Sequence, residues 1–212
     1  MAEDTIHFEV APPKLLTRGA VAIIYGYGLL LAAPVVVAVL AVSLLKLSFL
    51  TMLLLPLLAL AVSVYLLPCG LGNPYAVKLV GALPAVEARA RGGFVVQLTF
   101  SPRLSRGFRA DLEDADDLGY LSIDDSALVF HGDAVKLVIP LSRIERVQAR
   151  NFGWRGLFLC GERSVVTVRG LTNVRWLEFA ERSSWVLPTS RRMGRQLYER
   201  LRAATAAKTP GK

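Results

Sequence analysis

Between Ala20 and Leu67 the chain carries a single charged residue, Lys46. Lys46 divides the stretch into two uncharged runs, Ala20 to Leu45 and Leu47 to Leu67. At about 1.5 Å of rise per residue, each run as a helix reaches across a hydrocarbon core of roughly 30 Å. A hairpin buried in a globular core is the alternative, but these runs offer almost no polar face. The reading is therefore a two-helix transmembrane hairpin over 19–68, turned at Lys46-Leu47-Ser48. Pro34 and Pro56 fall near mid-run and are expected to kink the helices. Gly28 with Ala32, and Ala59 with Ser63, have the small-residue spacing that suits close helix contact. A re-entrant hairpin is the minor alternative.

The mean hydropathy of +0.45 argues against a purely soluble or disordered chain. The first run is too long for a cleaved leader, and Glu3, Asp4 and Glu9 precede it. Lys14 and Arg18 stand before the hairpin and Lys78, Arg89 and Arg91 after it, so both termini are expected on the cytoplasmic side of an inner or plasma membrane. Cys69 and Cys160 lack paired spacing and read as reduced thiols.

Breakers from Pro68 to Pro74 end the second run. The connector that follows completes a juxtamembrane segment over 69–93, read either as interfacial or as packed on the folded module. From Phe94 the texture changes to short β-type runs: Phe94–Phe100, Gly119–Ile123, Ala127–His131, Val135–Ile139, Leu141–Val147, Leu157–Cys160, Ser164–Arg169 and Val174–Ala180. Turn residues separate them, notably Asp124-Asp125-Ser126 and Gly132-Asp133, as in an antiparallel sandwich or barrel. In Ser190–Ala204, Met193, Leu197, Leu201 and Ala204 recur at helical spacing, with Thr189 or Ser190 as cap behind Pro188. This amphipathic helix is expected to cover one end or face of the sheet. The full reading is an α+β membrane protein: a segment over 1–18, the hairpin, the connector, a cytoplasmic domain over 94–205 and a tail over 206–212.

The strand start Gly119-Tyr120-Leu121, the strand Leu128-Val129-Phe130, the element Ile139-Pro140-Leu141-Ser142-Arg143-Ile144-Glu145-Arg146-Val147 and one closing helix carry a resemblance. This stretch resembles the pleckstrin-homology superfold in its bacterial PH or GRAM-like form, over about Gly119 to Ala204. The resemblance implies a curved, seven-stranded, partly open barrel plugged by a C-terminal helix, a fold that works chiefly in binding and scaffolding. Phosphoinositide binders of that family carry basic residues between the first two strands. Here that loop is Asp124-Asp125-Ser126, which repels phosphate, so headgroup binding is not carried over.

Chemistry-bearing motifs are sparse. There is no GxxxxGK[ST] loop, no GxGxxG opening a helix and no GxSxG elbow. The two histidines, His7 and His131, are far apart, so no zinc set is expected. Asp111 to Asp117 lacks the third ligand and closing Glu of a calcium loop and reads as a solvated acidic loop or helix start, available to the Arg-rich helix or a partner. The arginine spacing and Asp124-x-Ser126 do not fit a cyclic-dinucleotide module of the PilZ kind. No catalytic residue, metal or cofactor is assigned.

The remaining functional signal is the net charge of +8. Arg143, Arg146, Arg150 and Arg155 cluster with Trp154, and the terminal helix adds Arg191, Arg192 and Arg195. These residues form the candidate partner- or lipid-binding face. A protein partner with carboxylates to pair, an anionic lipid surface and plain solvated charge remain open, in that order, with nucleic acid last. The functional expectation is a non-enzymatic, membrane-anchored accessory or scaffolding subunit. The alternatives are an anionic-lipid sensor and a component of a transporter or enzyme complex whose catalytic part is on another chain.

Overall fold

The computed structural model describes residues 5–15, 17, 19–20, 22–23, 26, 33–46, 48–66, 73–84, 92–102, 115–150, 162–171, 174–184 and 186–207. In chain order the elements are β1 (His7–Val10), α1 (Ala33–Leu44), α2 (Phe49–Leu66), α3 (Asn73–Gly81), β2 (Phe94–Ser101), β3 (Asp117–Ile123), β4 (Ala127–Gly132) and β5 (Val135–Pro140). A 3₁₀ turn (Leu141–Arg143) leads to β6 (Ile144–Arg150), β7 (Arg163–Val168), β8 (Trp176–Glu181) and α4 (Leu187–Ala206). The expected run Leu157–Cys160 lies outside the described residues, as do both cysteines.

The strands form one eight-stranded antiparallel sheet in the order β1-β5-β4-β3-β2-β8-β7-β6. Every neighbour within β2–β5 and within β6–β8 is the next strand in sequence, and the short turns of β3–β4 and β4–β5 leave no length for a crossover. At Asp124-Asp125-Ser126, for example, the Asp124 N–H reaches the Ala127 carbonyl at 2.9 Å.

The sheet is strongly curved. Phe130 on β4 and Phe179 on β8 are separated by two strands in the order, yet their ring centroids lie 6.3 Å apart. A flat sheet would hold strands at that separation about 14 Å apart. The curvature closes on one core, in which Val96, Leu98, Phe100, Leu121, Leu128, Phe130, Val166, Leu177 and Phe179 surround Leu197 and Leu201 of α4. The helix fills the concave side, as its apolar stripe requires. Its cap differs from expectation. The helix begins at Leu187 behind Val186 with no side-chain cap, and Ser190 is buried with its hydroxyl directed at Glu181.

Residues 1–18 contribute more than a lead-in. β1 pairs with β5, and Phe8 meets Phe100 of β2 at 5.5 Å between ring centroids. The connector also packs on the sheet: Ala76 and Val80 of α3 bury against Val95, Leu118 and Tyr120, which point away from the main core. The central strands are thus buried on both faces.

The expectation of an integral membrane protein is overturned. Among the described residues no helix is long and apolar enough to cross a membrane. α1 has 12 residues, about 18 Å, and α2 has 18 residues, about 27 Å, with Pro56 inside it; both fall short of a core of roughly 30 Å. The transmembrane assignment of 19–68 falls, and with it the integral location at the inner or plasma membrane. The fold is instead α+β, one antiparallel sheet with helices packed on it. The two helices do lie side by side as a hairpin, with Lys46 in the left-handed region at φ 48°. Val37, Leu44, Leu50, Leu57 and Leu58 on its surface are exposed.

Candidate interaction site

Among the described residues β6 is the last strand of the sheet and pairs with β7 alone. A register irregularity between Ile144 and Arg146 resets its alternation, after which Val147 opposes the core residue Val166. Period two then places Arg146, Gln148 and Arg150 on the other, convex face. Arg150 pairs across the ladder with Arg163, so two like charges stand opposite each other, which is unfavourable without a counter-charge.

Glu178 supplies it. The Arg163 side chain is buried and donates from Nη1 to Glu178 Oε2 at 3.4 Å. The other carboxylate oxygen accepts the Trp176 indole N–H at 2.9 Å. The indole is thereby fixed, and the Arg150 guanidinium lies over its ring, 5.4 Å from the centroid. Gln148 sits between the two exposed arginines. Arg150 Nη2 donates to its Oε1 at 3.4 Å, and turning the amide over brings the oxygen to 2.8 Å from Arg146 Nε. Among the described residues on this face of β6–β8, Arg146, Arg150 and Arg163 stand against the carboxylate of Glu178. The net sign is positive, and the outer two arginines are solvent-exposed.

The sequence-level candidates divide into groups. Arg146 and Arg150 are brought together on β6. Arg143 is half-buried in the 3₁₀ turn, its carbonyl accepting the Arg169 N–H at 2.8 Å. Arg191, Arg192 and Arg195 are exposed on α4, a separate element that packs against β6, β7 and β8. Arg195 pairs along the helix with Glu199 at 3.2 Å. Trp154 and Arg155 lie outside the described residues.

Trp176, Glu178, Gln148 and Arg163 were missed as site residues. The available signal was alternation: in Trp176-Leu-Glu-Phe the apolar Leu177 and Phe179 take one face and leave Trp176 and Glu178 together on the other.

A second polar cluster has a structural role. Arg182, just beyond β8, donates from Nε to Gln97 Oε1 at 2.9 Å, again to the same oxygen from Nη2, and from Nη1 to Asn73 Oδ1 at 3.1 Å. Asn73 Nδ2 donates to the Ser184 carbonyl at 2.5 Å. These bonds pin the start of α3 to the convex face. Next door, burial pushes the Glu181 carboxyl above its usual range, against the opposing effect of the Ser183 donors. Among the described residues no group of three or more His, Cys, Asp or Glu is placed to hold a metal ion.

No family model, curated protein or solved structure matches this chain.

Proposed function

We propose that the chain is a non-enzymatic interaction protein, an accessory or scaffolding subunit, and that the convex face of β6 receives an acidic segment of a partner protein. The observation that carries this reading is the fixed pair of exposed arginines on an edge strand. Arg150 rests on Trp176, which Glu178 holds, and Arg146 stands two same-face positions away, across Gln148. Arginines held in place lose less freedom on pairing with carboxylates than mobile ones do, and a planar fork suits bidentate contact. The open side of an edge strand also offers backbone groups to an extended segment, the geometry of β-strand addition.

The pleckstrin-homology-type reading is kept as a proposal on the same terms. A four-strand meander (β2–β5), a three-strand meander (β6–β8) joined to it through β2 and β8, and a closing helix α4 support it.

The test compares charge reversals on the two arginine groups in purified full-length protein. Arg146→Glu with Arg150→Glu should abolish co-purification of an acidic partner, whereas Arg191→Glu with Arg192→Glu should leave it intact. Equal loss from both pairs would indicate general electrostatics and sink the edge-strand site. Binding to phosphatidylserine vesicles that only the first pair removes would replace the protein partner with a lipid surface.

A further inference from the structure

At the end of the barrel where β3 turns into β4, a cleft of about 290 Å³ opens between that turn, the start of β2 and the last turns of α4. Its floor is Leu121 and Leu141, both buried core residues. Phe94, Ile123 and Ala204 form apolar walls. Asp124 and Asp125 stand at the rim. Ala203 and Ala207 belong to the C-terminal end of α4, where the helix dipole adds partial negative charge. The cation at the mouth, Arg200, lies over the Phe94 ring, 5.3 Å from its centroid.

The geometry points to a docking site for a basic, apolar-flanked peptide segment of a partner protein. One arginine or lysine of that segment would lay its alkyl stem on Phe94 and Ile123 and its charged head at Asp124 and Asp125. Three features select this occupant. The two adjacent carboxylates and the helix C-terminus share one sign and favour a cation. The apolar walls suit a methylene stem. The volume of about 290 Å³ accommodates a long side chain together with its flanking residues. This site is independent of the arginine face on β6: it sits at the end of the barrel and has the opposite charge preference. A protein with both sites would bridge an acidic and a basic partner, as a scaffold does.

The test titrates full-length protein into a fluorescein-labelled hexapeptide of alternating leucine and arginine, with a leucine–glutamate hexapeptide as control, and reads anisotropy. The basic peptide should bind and the acidic one should not. Asp124→Asn combined with Asp125→Asn should weaken binding roughly tenfold. Ala204→Trp, which fills the cleft, should remove it. Arg200→Gln should strengthen it about threefold by taking a like charge from the mouth, while the acidic peptide should still fail to bind. Asp125→Asn alone, on an exposed turn, gives a second loss-of-charge variant that leaves the fold intact. Equal affinity for both peptides, or affinities unmoved by Arg200→Gln and Asp125→Asn, would overturn the site. Self-association of the protein that excludes the peptide would assign the cleft to a second copy of the chain and also overturn it.

Discussion

The carboxylate of Asp117 accepts the backbone N–H of Val135 at 2.7 Å, tying the first residue of β3 to the first residue of β5. The same oxygen accepts Ala134 N–H at 3.0 Å, and Oδ1 accepts Leu118 N–H at 2.8 Å. Asp117 is fully buried, and one side chain thus organises the β4–β5 turn from the adjoining strand.

Burial pushes the Asp117 carboxyl up to about 6 from its ordinary value of 3.8, outweighing three N–H donors that favour the anion; nearby Asp133 adds to the rise. The folded value lies above the unfolded one, so the stabilisation is complete below the unfolded value and is lost as pH rises through about 6. The loss is on the order of 3 kcal/mol. Thermal unfolding of the wild type and of Asp117→Asn from pH 4 to pH 8 checks it. Relative to the variant, the wild type should lose stability across that window, and an unchanged difference would refute the account.

Gly132 leaves no room for a side chain. A Cβ there would be driven into the Asp117 carboxylate and the Phe130 ring, and one at Gly119 into the His131 carbonyl. Gly132→Ala and Gly119→Ala should each cost about 2–3 kcal/mol. Denaturant unfolding would show it, and a cost under about 0.5 kcal/mol at either position would contradict this packing.

Arg182→Ala should release α3. It leaves Gln97 and Asn73 without their shared donor in a buried setting, at a cost of roughly 2–4 kcal/mol. Hydrogen exchange should quicken at the amides of Asn73–Gly81 more than at those of β4. Uniform acceleration would mean that the cluster supports the whole domain rather than this helix.

On α4, position relative to the core decides the effect. Leu197→Ala and Leu201→Ala remove side chains buried in the main core and should cost about 2–5 kcal/mol each. Arg195→Ala breaks only an exposed pair with Glu199 and should change stability by less than about 0.5 kcal/mol. Comparable effects at Leu197 and Arg195 would rule out α4 as the element that fills the concave side of the sheet.

Much of the sheet was legible in the sequence. The expected strand runs from Phe94, Gly119, Ala127, Val135, Ser164 and Val174 each overlap an observed strand, because alternation and turn residues are local signals. The stripe on α4 was legible for the same reason. The acidic run was misread at its end: Asp116 is half-buried and accepts the Phe100 N–H at 2.8 Å, and Asp117 is fully buried. Charge along a sequence does not report which backbone donors a neighbouring strand will bring. The apolar runs show the converse. Hydropathy measured their composition, while crossing a membrane depends on the helix length realised, and neither α1 nor α2 has it.

The sequence by itself determined the periodic elements, their turns and which residues within one strand share a face. The tertiary structure decided which strands are neighbours and which faces are buried. It made His7–Val10 an edge strand, hid Arg163 beside Glu178, and set Arg150 over the Trp176 ring. The physical reason is range. Backbone periodicity is fixed by residues a few positions apart, whereas the partners of Arg182 and Gln97, 85 positions apart, meet only when the whole sheet has closed.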